Sequence, residues 1–134
     1  MKHLTVEKAK QLADLAEERH AEYRKRHPGG IVGSGDLKAL ILERESLEAT
    51  AFRDAVKNLS EEESRDAVAL MYVGRGDYME GDYSPSTVQE TFDGHVKTFS
   101  KDSKAELTGI LLSKTAVMHR YLDDGIKRVK PTLK

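Results

Sequence analysis

Five side chains capable of binding chemistry fall within nine residues: Arg75, Asp77, Tyr78, Asp82 and Tyr83. An arginine fork can hold a carboxylate or phosphate through two parallel hydrogen bonds. The five stand between two segments that read as helix, and loops on rigid scaffolds commonly carry function. The same stretch also has a purely structural reading. Gly74 can take the left-handed conformation that closes a helix, and Arg75 then meets the negative helix end. Gly76 permits a second reversal, while Asp77 can pair with Arg75 or accept backbone amides. Arg75-Gly76-Asp77 is also the tripeptide of extracellular adhesion loops, but the opening "MKHLTVEKAKQ" lacks the apolar core of an export signal. The expectation is a corner, with ligand or partner binding at these five residues as the functional hypothesis.

Other constellations offer less. Glu17-x-x-His20 is half of a di-iron helix motif, and no second Glu-x-x-His follows. His20 and His27 stand two turns apart, about 10 Å along a helix, too far to chelate one ion directly. His119 and Asp123, four apart, are placed for a helix-surface pair. With no cysteine there is neither a thiolate metal site nor a thiol nucleophile. No metal or cofactor is expected. "GGIVGSGD" lacks the spacing of a phosphate-binding loop, and Ser34 lacks the Gly-x-Ser-x-Gly frame because position 32 is Val. That segment reads as a linker. No nucleophile, base and oxyanion set emerges, so no catalytic residue is assigned and the expectation leans away from an enzyme.

Two basic clusters, Arg24-Lys25-Arg26 and Lys127-Arg128 with Lys130, form an alternative contact for nucleic acid. Both fall at predicted helix C-termini, where cations complement the dipole. An isoelectric point near 6.5 lacks the excess positive charge usual in nucleic-acid binders.

The elements that must position these residues are helical. The first reads from about Thr5 to His27, with Ala9, Leu12, Ala16 and Tyr23 on one face and Ala13 and Leu15 widening it. Asp36 suits the N-cap of a second long helix ending near Leu59. Its stripe is Leu40, Leu47, Ala51, Ala55 and Val56, flanked by Leu37, Ile41, Phe52 and Leu59. Ser60 to Glu63 is a capping box that opens a third helix, whose short run "AVALMYV" is apolar nearly all round and therefore central. Ser84-Pro85 opens a fourth, with Val88, Phe92, Val96 and Phe99 at helical spacing. Ser103 to Glu106 is a second capping box, followed by one helix or by two with a break near Ser113, ending around Val129.

These elements predict an all-α, single-domain helical bundle over residues 1–134. It has five to six helices, two long N-terminal ones and a buried short third. The 134 residues can bury roughly two-thirds of their unfolded surface in one domain. No apolar run approaches the ~20 residues that span a bilayer, so no membrane association is expected. Charge is uneven despite a net of -1. Residues 60–93 hold nine acids against two bases, and residues 94–134 hold nine bases against four acids.

"AVALMYVGRGDY", Ala67 to Tyr78, and "YLDDGI", Tyr121 to Ile126, resemble segments of the mainly proteobacterial domain-of-unknown-function family 3775. That family carries a pattern close to A-L-M-W-L-G-R-G-D, and here Tyr72 stands for its Trp. The resemblance covers about the C-terminal half, from Leu59 onward. It implies an all-helical fold and no known activity. The expected function is a small cytoplasmic binding or regulatory protein acting on another protein, including a second copy of itself.

Overall fold

Ser60 and Ser103 each begin a helix for the reason their spacing suggests. The Ser60 hydroxyl accepts from the Glu63 amide at 3.0 Å, and the Ser60 amide donates to the Glu63 carboxylate at 2.9 Å. Ser103 and Glu106 repeat the exchange at 3.2 Å in both directions. A computed structural model describes residues 1–26, 47–114 and 116–133, with the Arg26 side chain left out. The described helices are α1 (Val6–Arg26), α2 (Leu47–Lys57), α3 (Glu61–Arg75), α4 (Pro85–Thr98), α5 (Lys104–Ser113) and α6 (Met118–Val129). A 3-10 turn, Lys130–Thr132, follows. No strand occurs among the described residues. The fold is an all-α helical bundle. Asp36, Leu37, Leu40, Ile41, His27, Ser34 and the "GGIVGSGD" linker lie outside the described residues.

The break after Ser113 is present, so the last capping box opens two helices rather than one. At fifteen residues, α3 is longer than every described helix except α1, so it is central without being short. Ala67, Val68, Ala69, Leu70, Met71 and Val73 are all buried, as all-round apolarity requires. Around α3 stand α6, α4 and α5, while α1 covers the other side of α6 and carries α2.

The expected face of α1 is buried at Ala9, Leu12, Ala13 and Ala16, while Tyr23 near its end is exposed. In α2, Leu47 and Ala51 face outward while Phe52 and Val56 point in, followed by Leu59 beyond its end. On the α1 side, the Arg19 guanidinium lies 4.2 Å above the Phe52 ring. Asp66 is the polar anchor of the buried interior. Its carboxylate accepts from the amides of His3 and Leu4 at 2.8 and 2.9 Å, tying the segment before α1 to α3.

The tightest contact is between α3 and α6. A Cβ on Gly74 would lie 1.7 Å from the Tyr121 carbonyl oxygen, and one on Gly125 would lie 2.3 Å from that of Leu70. Neither position has space for a methyl group. Gly94 and Gly109 differ: a Cβ there meets nothing within 4 Å. Gly74→Ala and Gly125→Ala should therefore each destabilise the protein by about 3 kcal/mol or more. Gly94→Ala should stabilise it by about 0.5–1 kcal/mol through helix propensity. Urea denaturation of the three variants checks both signs.

Candidate functional site

The corner after α3 is built differently from the simplest reading of its glycines. Gly74 stays helical, because the α6 backbone occupies the place of its side chain. The left-handed residue is Gly76, with φ +92°, and its amide donates to the carbonyls of Tyr72 and Val73 at 3.1 Å each. The Val73 carbonyl, and that of Gly74 beside it, also accept from Nη1 of Arg128 on α6 at 2.7 and 2.8 Å. The Arg128 guanidinium also lies 3.8 Å from the Tyr83 ring centroid. One arginine thus closes α3 and holds the far end of the loop.

The five candidate residues divide by this geometry. Arg75 does not cap its own helix. It forks onto Asp77, with Nε to Oδ1 and Nη2 to Oδ2 both at 2.8 Å, and its guanidinium lies 5.1 Å from the Tyr72 ring. The adhesion tripeptide therefore has its two charges engaged with each other. Asp82 starts α4: it accepts from the Ser84 amide at 3.0 Å and the Thr87 hydroxyl at 2.8 Å. Ser84 occupies the N-cap position, but its hydroxyl donates to the Thr87 hydroxyl at 3.1 Å instead of accepting from a helix amide. Tyr83 is the platform under Arg128.

Tyr78 is the remaining member. It is 87% exposed although Met79 beside it is buried, and its φ is +66°. Glu80 is left-handed as well, at φ +50°. Each such non-glycine residue costs of order 1 kcal/mol. The buried Met79, with the Asp82 amide donating to its carbonyl at 2.8 Å, supports the loop against that cost.

Beneath Tyr78 lies His95, which the sequence reading did not single out. On α4 the buried residues Val88, Phe92 and His95 are spaced four and three apart, and Val96 sits at the edge of that stripe, half-buried. That spacing was the available signal. The His95 ring stacks on Tyr72 at 5.4 Å and stands tilted to Tyr78 at 5.7 Å. Tyr72 in turn stacks on Phe99 at 5.6 Å. Burial holds the His95 pKa below its ordinary value, with Arg75 adding to the depression and Asp77 opposing it. Its Nε2 is buried without a hydrogen-bond partner. A shallow groove of about 390 Å³ opens here, walled by Tyr78, Glu90, Thr91 and His95, with Gly94 as a gap in the wall.

The basic clusters are not brought together. Lys10 of α1 lies 3.5 Å from Asp123 of α6, and His20 stacks on His119 at 5.1 Å, so the two helices run antiparallel. Arg24 stands fourteen residues beyond Lys10, about 21 Å along the axis. It and Lys25 are exposed at one end of the pair, Lys127 and Lys130 at the other, while Arg128 is committed to α3. Asp123 pairs with Lys10 rather than with His119, because His119 is drawn across to His20. Burial foremost, then His119 and the cations Arg24, Arg120 and Arg19, depress the His20 pKa. Among the described residues no three His, Asp or Glu side chains converge as metal ligands. No described helix is long and apolar enough to cross a membrane.

The fold and the corner define the class: a small all-α bundle whose central helix ends in a braced, aromatic-rimmed turn. Residues 49–130 match the family described as protein of unknown function (DUF3775), and the chain belongs to it. The match begins within α2, ten residues upstream of Leu59, and includes both crossing glycines. No curated protein and no solved structure matches the chain.

Arg128→Ala should cost about 2–3 kcal/mol, since two carbonyls lose a charged donor and Tyr83 loses its cation. Arg128→Lys should recover part of that loss in the same denaturation measurement. For the histidines, both depressed pKa values mean that the unfolded chain binds protons more readily than the folded one. Stability is then fully present above the ordinary imidazole pKa of about 6.5 and falls as pH drops below it. Urea midpoints at descending pH should show that slope, and His20→Gln and His95→Gln should each flatten it.

Proposed function

We propose that this protein is a small cytoplasmic binding or regulatory module that engages another protein through the corner between α3 and α4. The observation that carries the reading is Tyr78. Most of the loop is consumed by structure: Arg75 with Asp77, Asp82 with α4, Tyr83 with Arg128 and Met79 with the core. Tyr78 and Glu80 are held outward in left-handed backbone, and Tyr78 is the aromatic one of the two, on a support fixed at both ends. Tyrosine is enriched among the residues that dominate binding energy, because it buries a large rigid surface at low entropic cost. The Arg75–Asp77 fork stands beside it, with the two side chains 40% and 22% exposed, as a polar rim.

Contact with nucleic acid through Arg24, Lys25, Arg26, Lys127, Arg128 and Lys130 has less support. Arg128 is engaged internally, and the remaining cations stand at opposite ends of the α1–α6 pair. An enzyme at the loop also has less support, because the groove is shallow and the Arg75 and Asp77 charges satisfy each other. A second copy of the chain is one protein partner that Tyr78 suits, as symmetric self-association is common among small soluble proteins.

Tyr78→Ala is the decisive variant. It should leave the melting temperature unchanged or slightly raised, since an exposed ring is removed. In parallel affinity captures from native-host extract, wild type should retain a partner that Tyr78→Ala loses. Arg75→Ala should weaken the capture while costing under about 1 kcal/mol of stability, the scale of an exposed ion pair. Equal recovery by wild type and Tyr78→Ala would reject the corner as the binding site. Light scattering over a concentration series reports whether the partner is a second copy: a mass that doubles in wild type and not in Tyr78→Ala identifies self-association.

A further inference from the structure

The groove beside Tyr78 has a chemistry of its own. Of the residues that line it, only Glu90 is charged at neutral pH. The hydroxyls of Thr87 and Thr98 are already used, on Asp82 and on the Gly94 carbonyl. That leaves the Glu90 carboxylate and the hydroxyls of Thr91 and Tyr78 as polar groups for an occupant. His95 is 95% buried by area and its unpartnered Nε2 is sealed from solvent, so the ring forms the floor of the groove rather than a hydrogen-bonding wall. The polar content of the groove is therefore acceptor-rich and anionic, beside an exposed aromatic face. Its Tyr78 to Thr91 part belongs to the acidic segment, with nine acids against two bases over residues 60–93, while Gly94, His95 and Thr98 open the basic one.

Such a wall suits a flat cation with several donors. Ammonium is compact and strongly hydrated, whereas guanidinium is planar, stacks on aromatic rings and forks onto carboxylates. The molecule itself uses that chemistry nearby. Arg128 lies over Tyr83 at 3.8 Å, and Arg75 lies over Tyr72 while forking onto Asp77. Tyr78 is the tyrosine of this corner that carries no such arginine, and Glu90, the carboxylate of the groove, forms no ion pair or hydrogen bond among the described residues. The open face at Gly94 leaves the entry unobstructed, since a Cβ there meets nothing within 4 Å.

We infer that this groove receives an arginine side chain of a partner protein, stacked against Tyr78 with its donors on the Glu90 carboxylate and the Thr91 hydroxyl. The inference rests on the reading of the corner as a protein-binding site and names the chemistry that the partner must present.

The test is an NMR titration of the 15N-labelled protein with N-acetyl-arginine amide, and separately with N-acetyl-lysine amide and N-acetyl-glutamate. The arginine probe should move the Thr91, Gly94 and His95 resonances and saturate in the millimolar range, as a single side chain does. The lysine probe should bind at least about threefold more weakly and the glutamate probe should leave those resonances in place. Glu90→Gln should weaken the arginine probe by about tenfold, the loss of one charge-assisted contact. Gly94→Leu, which fills the groove from an exposed helical position, should remove its effect altogether. Absent shifts, equal response to all probes, or unchanged affinity in Glu90→Gln would each overturn the arginine assignment. If the assignment fails while Tyr78→Ala still loses the captured partner, the corner reading stands without it. If Tyr78→Ala keeps the partner, the corner reading fails instead.

Discussion

Two helix backbones touch at Gly74 and Gly125, and the architecture follows from that contact. Each glycine gives up the space that the other helix's carbonyl needs, at Tyr121 and Leu70 respectively. Such an approach brings α3 and α6 closer than ordinary side chains allow, so the apolar surface of "AVALMYV" is covered on that side by a helix in near contact. The crossing also sets the register of everything attached to α6. Arg128, one turn beyond Gly125, reaches the last carbonyls of α3 only because the axes are so near. Tyr83 then finds its cation, and the loop its far anchor. A larger residue at either glycine would move all of these together.

Cations from distant parts of the chain close several helix ends. Arg128 closes α3, Arg65 donates to the Phe99 and Asp102 carbonyls just past α4, and Lys104 donates to Val56 and Lys57 at the end of α2. The last four carbonyls of any helix lack internal partners, and a charged donor there is worth more than an exposed ion pair. In a chain that is 34% charged, this is how polar residues contribute to a small domain with a modest core. It also commits basic side chains internally, Arg128 of the two basic clusters among them.

The corner draws its rigidity from both sources. Gly76 and Arg128 satisfy the helix end, Asp82 starts the next helix, and Met79 pins the turn to the core. Left-handed backbone at Tyr78 and Glu80 persists because these anchors fix the chain on either side. Toward solvent the loop presents Tyr78 over a buried, unpartnered imidazole, with Glu80 exposed beside it. That arrangement costs folding free energy without an evident structural return, a reason to look for its use in binding.

Local signals along the chain determined the helices and their starts. Ser60 with Glu63 and Ser103 with Glu106 act within three residues, and the apolar run of α3 marks the centre by its composition alone. The helical pattern from Val88 to Phe99 was equally legible, though it took Val96 for the inward residue where His95 is the buried one. Which glycine turns left-handed was not legible, because Gly74 and Gly76 have the same intrinsic freedom. Only the α6 backbone, fifty residues away in sequence, excludes a side chain at the first and leaves the cap to the second. The same holds for Arg75 and Arg128: dipole logic favours the nearer cation, but reach and angle across the crossing gave the carbonyls to the farther one. Short-range hydrogen bonding and periodicity are written in neighbouring residues, whereas the partners of a turn's charges and glycines depend on which backbones meet, and that is a property of the packed chain.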